Sequence, residues 1–248
     1  MASVRRMGKC MGVAESSATF PYNGHMTSAK NLIHESVNAK VLQALILLNR
    51  QHEIIAYLHE EREVAVLKEF EDAISKGIQT VSCVYPVYEY VFSLIDNLAR
   101  YHKILNSVPR VNKKDAIISG YNRLLATLKD ARNKLQHINR ELDNTFSGPL
   151  MGSICWNRES HQFVASLSDA AKANSVAGVA IDTYTGKFVA QFVYIENEIH
   201  YDLHEIIAAT RVVHEFVVNR FEIEIDGKPY DPSMHFQAFR VDFGFPLR

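Results

Sequence analysis

From about Thr27 to Leu142, apolar residues recur at intervals of three and four. That period commits the first half of the chain to amphipathic helices that bury their stripes against one another. Leu32, Ile33, Val37, Val41, Leu42, Leu45, Ile46 and Leu48 form the first stripe, with Thr27 or Ser28 placed to cap it. Ile54, Leu58, Val64, Leu67 and Phe70 extend that helix or form a second one between Glu53 and Ser75. Pro86 suits the first turn of a third helix, which carries Tyr88, Tyr90, Val91, Leu94, Ile95, Leu98, Tyr101, Ile104 and Leu105 to about Asn106, before Pro109. A fourth runs from about Lys113 to Leu142 through Ile117, Tyr121, Leu124, Leu125, Leu128, Leu135 and Ile138.

After Asn144 the texture changes. Ser147-Gly148-Pro149 breaks the helical pattern, and the segments that follow are short, β-branched and punctuated by Gly, Asn and Asp. Expected strands are Ser153 to Trp156, His161 to Ser166, Val176 to Asp182 and Lys187 to Ile195. Thr183-Tyr184-Thr185-Gly186 is a hairpin loop and Glu196-Asn197-Glu198 a further turn. Helical spacing returns from Leu203 to Val218, and Glu222-Ile223-Glu224-Ile225 alternates as a short strand does. The expected fold is therefore mainly α: a helical bundle with an appended or inserted small antiparallel β region, an α+β chain. Residues 1–26 read as a flexible leader, 27–146 as the bundle, and 147–248 as a β-rich segment whose late helix, 203–218, is available to pack back on the bundle.

Charge and cysteine usage limit the function classes. The 248 residues hold 27 basic and 28 acidic side chains, a formal charge of −1, so the chain lacks the basic footprint of proteins that coat nucleic acid by neutralising phosphates. Any nucleic-acid chemistry has to be local. Cys10, Cys83 and Cys155 are widely spaced and form no C-x-x-C pair, which fits a reducing cytoplasm. Val41 to Leu48 is the most apolar early stretch and falls well short of the roughly 20 residues a bilayer needs. Cys10 to Ala14 is likewise too short for a secretory signal.

The polar residues near the end of the fourth helix are not scattered. In Arg132-Asn133-Lys134-Leu135-Gln136-His137, Asn133 and His137 stand one turn apart on one face, and Arg140 and Glu141 extend that stripe. Arg132 is offset from His137 by about 140°, which only a long side chain can bridge. An imidazole moves protons near neutral pH, a guanidinium holds a phosphate through two parallel hydrogen bonds, and an amide can fix the imidazole tautomer. These are the needs of metal-free RNA cleavage, in which the ribose 2′-hydroxyl attacks its own phosphodiester. One helix supplies a single proton-transfer group, whereas the reaction wants an acid and a base; a symmetric dimer supplies two.

Arg132-Asn133-x-x-x-His137 resembles the R-N-x-x-x-H form of the motif of the HEPN superfamily. The likeness covers six residues directly, in a helical context compatible with a HEPN bundle. It implies an all-helical core, dimerisation that brings two motifs together, and metal-independent endoribonuclease activity without a cofactor. Arg132 would be the phosphate clamp, Asn133 the orienting group and His137 the proton-transfer residue. RNA would be the substrate, and an antitoxin or other regulatory protein a compatible partner. The β-rich segment and the late helix depart from a minimal HEPN bundle. The alternative expectation is a non-catalytic helical module that binds a partner protein or small ligand through the β-rich segment.

Other constellations read more plainly. His200 and His204 would lie one turn apart if the late helix began early, but a helix start with partly solvated histidines is the simpler expectation, and no metal site is assigned. No Glu lies three residues before any of the eleven histidines, which disfavours a carboxylate-bridged di-iron bundle. His59-Glu60-Glu61-Arg62-Glu63 reads as a solvated helix face. The rings of Tyr85, Tyr88, Tyr90, Phe92 and Tyr101 have no basic residue among them before Arg100, so they read as packing rather than base stacking. Trp156 reads as a core anchor, and no phosphate-cradling glycine pattern is present.

Overall fold

The computed structural model describes residues 31–33, 39–78, 80–136, 151–158, 161–167, 180, 184–188, 190–196, 199–225 and 228–229. Strand β1 (Asn31–Ile33) precedes α1 (Ala39–Tyr57), which runs through a π-helical turn (Leu58–Arg62) directly into α2 (Glu63–Ser75). Then come α3 (Val81–Leu105) and α4 (Ala116–Gln136). Strands β2 (Ser153–Arg158), β3 (His161–Ser166), β4 (Phe192–Glu196) and β5 (Ile199–Asp202) form an antiparallel sheet in the order β3-β2-β4-β5. Helix α5 (Leu203–Val218) leads into β6 (Phe221–Ile225) and β7 (Lys228–Pro229). The described residues are thus mainly helical with a small antiparallel sheet, the class the sequence implies. None of their helices is long and apolar enough to cross a membrane.

Helix α3 is the axis of the core. Val87, Val91, Leu94, Ile95, Leu98 and Tyr101 are fully buried on it, and it packs against α1, α2 and α4. Truncating a leucine in such a position to alanine costs about 2–5 kcal/mol, because the cavity adds to the lost transfer energy. Helix α5 closes the bundle by packing on α1 and α4, and its Thr210 hydroxyl meets the buried Tyr121 hydroxyl of α4 at 3.0 Å.

The sheet is buried on both faces. Ile154, Trp156, Phe192 and Tyr194 point into the main core, while Cys155, Val193 and Ile195 form a second cluster with Ala180 on the opposite face. This is the two-residue alternation of strands at work. Trp156 is the anchor its position implied: it packs edge-on to Phe70 and stacks on Phe163, and its indole N–H donates to Glu71 on α2 at 3.1 Å.

Several boundaries differ from the sequence reading. The helix expected from Thr27 begins at Ala39, because Asn31–Ile33 is extended and pairs in parallel with Phe221–Ile223; ladder hydrogen bonds to a distant strand override the local helical spacing. Pro86 lies inside α3 rather than in its first turn, since the chain is already turning at Val81 and Thr80 is the extended residue before it. The strand expected from Lys187 starts at Phe192, and Asn157 instead binds the carbonyls of Gln191 and Ala190. Helix 203–218 and strand His161–Ser166 fall where their periodicity places them. The 1–26 segment, the capping residues Thr27 and Ser28, the strand Val176 to Asp182 as a whole, and the end of the fourth helix to Leu142 lie outside the described residues.

Gly152 opens β2 with φ of +70°, a left-handed conformation that L side chains rarely adopt. A Cβ there would meet the Ile195 carbonyl oxygen at 2.5 Å and the Tyr194 ring at 2.8 Å. Gly152→Ala is therefore expected to lower stability by at least about 2 kcal/mol, read as a fall in the urea midpoint at unchanged m-value. An unchanged midpoint would contradict the close approach.

Candidate functional site

The described end of α4 is pinned by Leu128 and Ala131, both buried, so that Arg132 and Asn133 emerge half-buried at its margin. The Arg132 guanidinium is fixed against α3. Its Nε and one terminal nitrogen each lie 3.0 Å from Oδ1 of Asp96, while Arg100, one turn along α3, holds the other oxygen at 2.7 Å. Two guanidinium charges thus share one carboxylate, and the trio carries a net charge of +1. Exposed ion pairs of this kind contribute at most about 1 kcal/mol each, so their main effect is on geometry: the carboxylate sets the plane in which the Arg132 fork lies. The structure therefore brings Arg132 together with Asp96 and Arg100, and it leaves Asn133 half-buried beside Arg132. His137 lies outside the described residues.

Sequence reading did not select Asp96. The i, i+4 pair of Asp96 and Arg100 on the preceding helix was legible, but its meeting with Arg132 needed the fold.

A second polar cluster lies where the sequence implied a solvated face. Glu63 is buried on the α2 stripe that it shares with Val66, Leu67 and Phe70, and the turn before it closes from residue i to i+5, the Glu63 N–H donating to the Leu58 carbonyl. A straight α-helix would place Leu58 and Glu63 about 140° apart. The Glu63 carboxylate is then fully engaged. His59 Nδ1 lies 2.9 Å from Oε2, His204 Nε2 lies 2.8 Å from Oε1, and the Tyr90 hydroxyl donates to Oε2 at 2.7 Å. Burial by itself would raise the carboxyl, but the bonds from His204, His59 and Tyr90 outweigh it and hold Glu63 down at about 2. Burial and the adjacent negative charge push the Tyr90 hydroxyl far above its ordinary value.

His204 is the second residue of α5, behind Asp202, whose side chain caps the helix by accepting from the Glu205 N–H at 3.0 Å. It stands partly exposed at the helix N-terminus that the sequence implied, but its ring is engaged by Glu63, and His200 is on β5 rather than one turn before it. The spacing His59-x-x-x-Glu63 was legible as a one-turn pair; its meeting with His204, 141 residues away, was not.

Farther along the same interface, His214 of α5 stacks on His52 of α1 with ring centres 3.9 Å apart. The Asn49 amide N–H donates to Glu53, so its oxygen faces His214 Nε2 at 3.2 Å and fixes the proton there; the Tyr101 hydroxyl faces Nδ1 at 3.4 Å. Both environments favour the neutral ring. Burial, with the neighbouring His52 adding to it, holds His214 down at about 3; burial and Arg211 likewise lower His52, against a smaller opposing effect of Glu60.

Comparisons with family models, with curated proteins and with solved structures find no match for this chain.

The stacked pair makes stability pH-dependent. His214 has a lower pKa folded, about 3, than its ordinary 6.5, so the unfolded chain binds more protons below that value. Its contribution is complete above pH 6.5 and is lost as pH falls toward 3, about 2 kcal/mol of it between pH 7 and pH 5. The urea midpoint of the wild type is expected to drop over that interval. His214→Gln is expected to be less stable at pH 7 but to show a flatter dependence; an equally steep fall in the variant would contradict a neutral buried ring.

Proposed function

We propose that this chain is a metal-independent endoribonuclease of HEPN type, acting on RNA as a homodimer in the cytoplasm. The observation that carries the reading is the fixed Arg132 fork. The first residue of the Arg132-Asn133-x-x-x-His137 motif is held on Asp96 and flanked by Arg100, at a locally positive and partly exposed edge of α3 and α4. A guanidinium whose plane is set in advance loses little freedom when it accepts a phosphate, which is the condition for stabilising charge that develops on phosphoryl oxygens. The near-neutral charge of the whole chain suits a local clamp better than broad nucleic-acid coating.

In this mechanism His137 removes the proton from a ribose 2′-hydroxyl as its oxygen attacks the adjacent phosphorus. The second copy's His137, starting as the protonated imidazolium, gives its proton to the departing 5′-oxygen, leaving a 2′,3′-cyclic phosphate and a free 5′-hydroxyl. Asn133 holds the His137 ring in the productive tautomer. Arg132 binds the non-bridging oxygens, and Asp96 acts on the reaction only by positioning Arg132.

Incubated with mixed RNA in EDTA, the wild type is expected to generate cyclic-phosphate ends. His137→Ala should lose about 100- to 10,000-fold in rate and Arg132→Ala about 100- to 1,000-fold. Asp96→Asn should lower the rate at saturating RNA less than Arg132→Ala does. Equal background from wild type and His137→Ala, or a strictly monomeric chain in sedimentation, would remove the enzyme reading and leave a non-catalytic helical module.

A further inference from the structure

We propose that His59, Glu63 and His204 form a binding site for a single divalent transition-metal ion of the zinc class, with Tyr90 positioning the carboxylate. The three side chains offer two imidazole nitrogens and a carboxylate oxygen, and these atoms all lie within 4.8 Å of one another. Each nitrogen already faces its own carboxylate oxygen, at 2.9 Å from His59 and 2.8 Å from His204. Two nitrogens, one carboxylate oxygen and a solvent molecule make up a four-coordinate zinc set with an open position. Solvent has a route in, because the two imidazoles keep 25% and 27% of their side-chain surface exposed while the carboxylate keeps 9%. The absence of a thiolate in the set, and its mixed nitrogen and oxygen donors, point to zinc-class ions rather than to cuprous ion or iron–sulfur clusters.

Two further features mark this cluster off from an ordinary buried ion pair. The first is the π-helical turn that carries His59 and leads into Glu63, since such turns in helices concentrate at functional sites. The second is the outer support: the Tyr90 hydroxyl, buried on α3, fixes Oε2 of Glu63 as hydrogen-bond donors around metal ligands do.

Ligand atoms about 2.0–2.2 Å from a tetrahedral ion stand roughly 3.4 Å apart, so the nitrogen facing the coordinating oxygen moves out by about half an ångström and the other ligand separations, all within 4.8 Å, settle to the same spacing. The N–H bonds now directed at Glu63 are replaced by lone pairs toward the metal. Each ligating imidazole is then neutral, with its proton on Nε2 of His59 and Nδ1 of His204, and any second ring proton passes to solvent. The bound ion would clasp α2 to α5 across 141 residues of sequence. It shares no residue with the Arg132 edge, and its test does not read RNA cleavage.

The full-length chain, stripped of metal and then titrated with zinc ion alone, is expected to bind one equivalent. His59→Gln and His204→Gln keep a donor for Glu63 but not an imidazole, and each should weaken binding at least about 100-fold; Tyr90→Phe should weaken it about ten-fold. Cobalt ion in place of zinc should give the intense visible bands of a tetrahedral site in wild type, lost in both histidine variants. Zinc bound with unchanged affinity and stoichiometry by the His59→Gln, His204→Gln double variant would overturn the proposal, as would a folded wild type that binds none. Should a variant fail to fold, X-ray absorption on the zinc-loaded wild type decides. A first shell of two imidazole nitrogens and oxygen at about 2.0–2.2 Å is expected, and a shell containing sulfur or oxygen alone refutes the site.

Discussion

A tyrosine buried in a core brings a hydroxyl that must be bonded, and leaving it unpaired costs about 1–3 kcal/mol. Helix α3 carries three such tyrosines, and each finds its partner on a different element. The Tyr88 hydroxyl donates to the Gly152 carbonyl at the start of β2 at 2.8 Å and lies 3.3 Å from the Leu167 N–H after β3. Tyr90 donates to Glu63 of α2, and Tyr101 faces His214 of α5. Apolar burial would hold the sheet, α2 and α5 near α3, but it has no direction. The three hydroxyls supply direction, so α3 fixes the register of the sheet, α2 and α5 as well as their distance.

The polar interface between the α1–α2 rod and α5 follows from that placement. With Tyr90 holding Glu63 at one level and Tyr101 meeting His214 at another, α5 brings His204 to the first and His214 to the second. Glu60 and Arg211 close the outer edge between them at 2.7 Å. The two levels differ chemically. His214 is surrounded by groups that keep it neutral, whereas His204 and His59 converge on an ionised carboxylate. The Arg132, Asp96 and Arg100 trio lies on α3 and α4 and uses none of these residues. Among the described residues, one scaffold thus carries a cluster around the ionised, buried Glu63 carboxylate and, apart from it, a partly exposed trio of net charge +1.

How much of this was legible in the sequence depends on the range of the interaction that decides each feature. Helix Leu203–Val218 and strand His161–Ser166 are set by local apolar period, and their limits could be read directly. The start of α1 could not, because Leu32 and Ile33 fit a helical stripe but are held in a strand by pairing with Phe221–Ile223, 190 residues away. The phase of α2 relative to α1 was hidden for a different reason: an α-helical wheel assumes 100° per residue, and one π-helical turn after Tyr57 rotates every later residue relative to that wheel. Among the candidate site residues, Arg132, Asn133 and His137 were selected from their spacing, while the meetings of Asp96 with Arg132 and of His204 with Glu63 join different elements and needed the fold.

The proposed cleavage needs two copies of the chain to bring their motifs to one phosphate, and the distance between the paired 137 positions tests this most directly. A chain carrying His137→Cys, with Cys10 and Cys83 replaced by serine and the buried Cys155 left in place, can be treated with a thiol crosslinker about as long as one nucleotide. A covalent dimer on a denaturing gel is the predicted result. Only monomer, from protein that sediments as a dimer before treatment, would mean that the two motifs face different solvent and share no substrate.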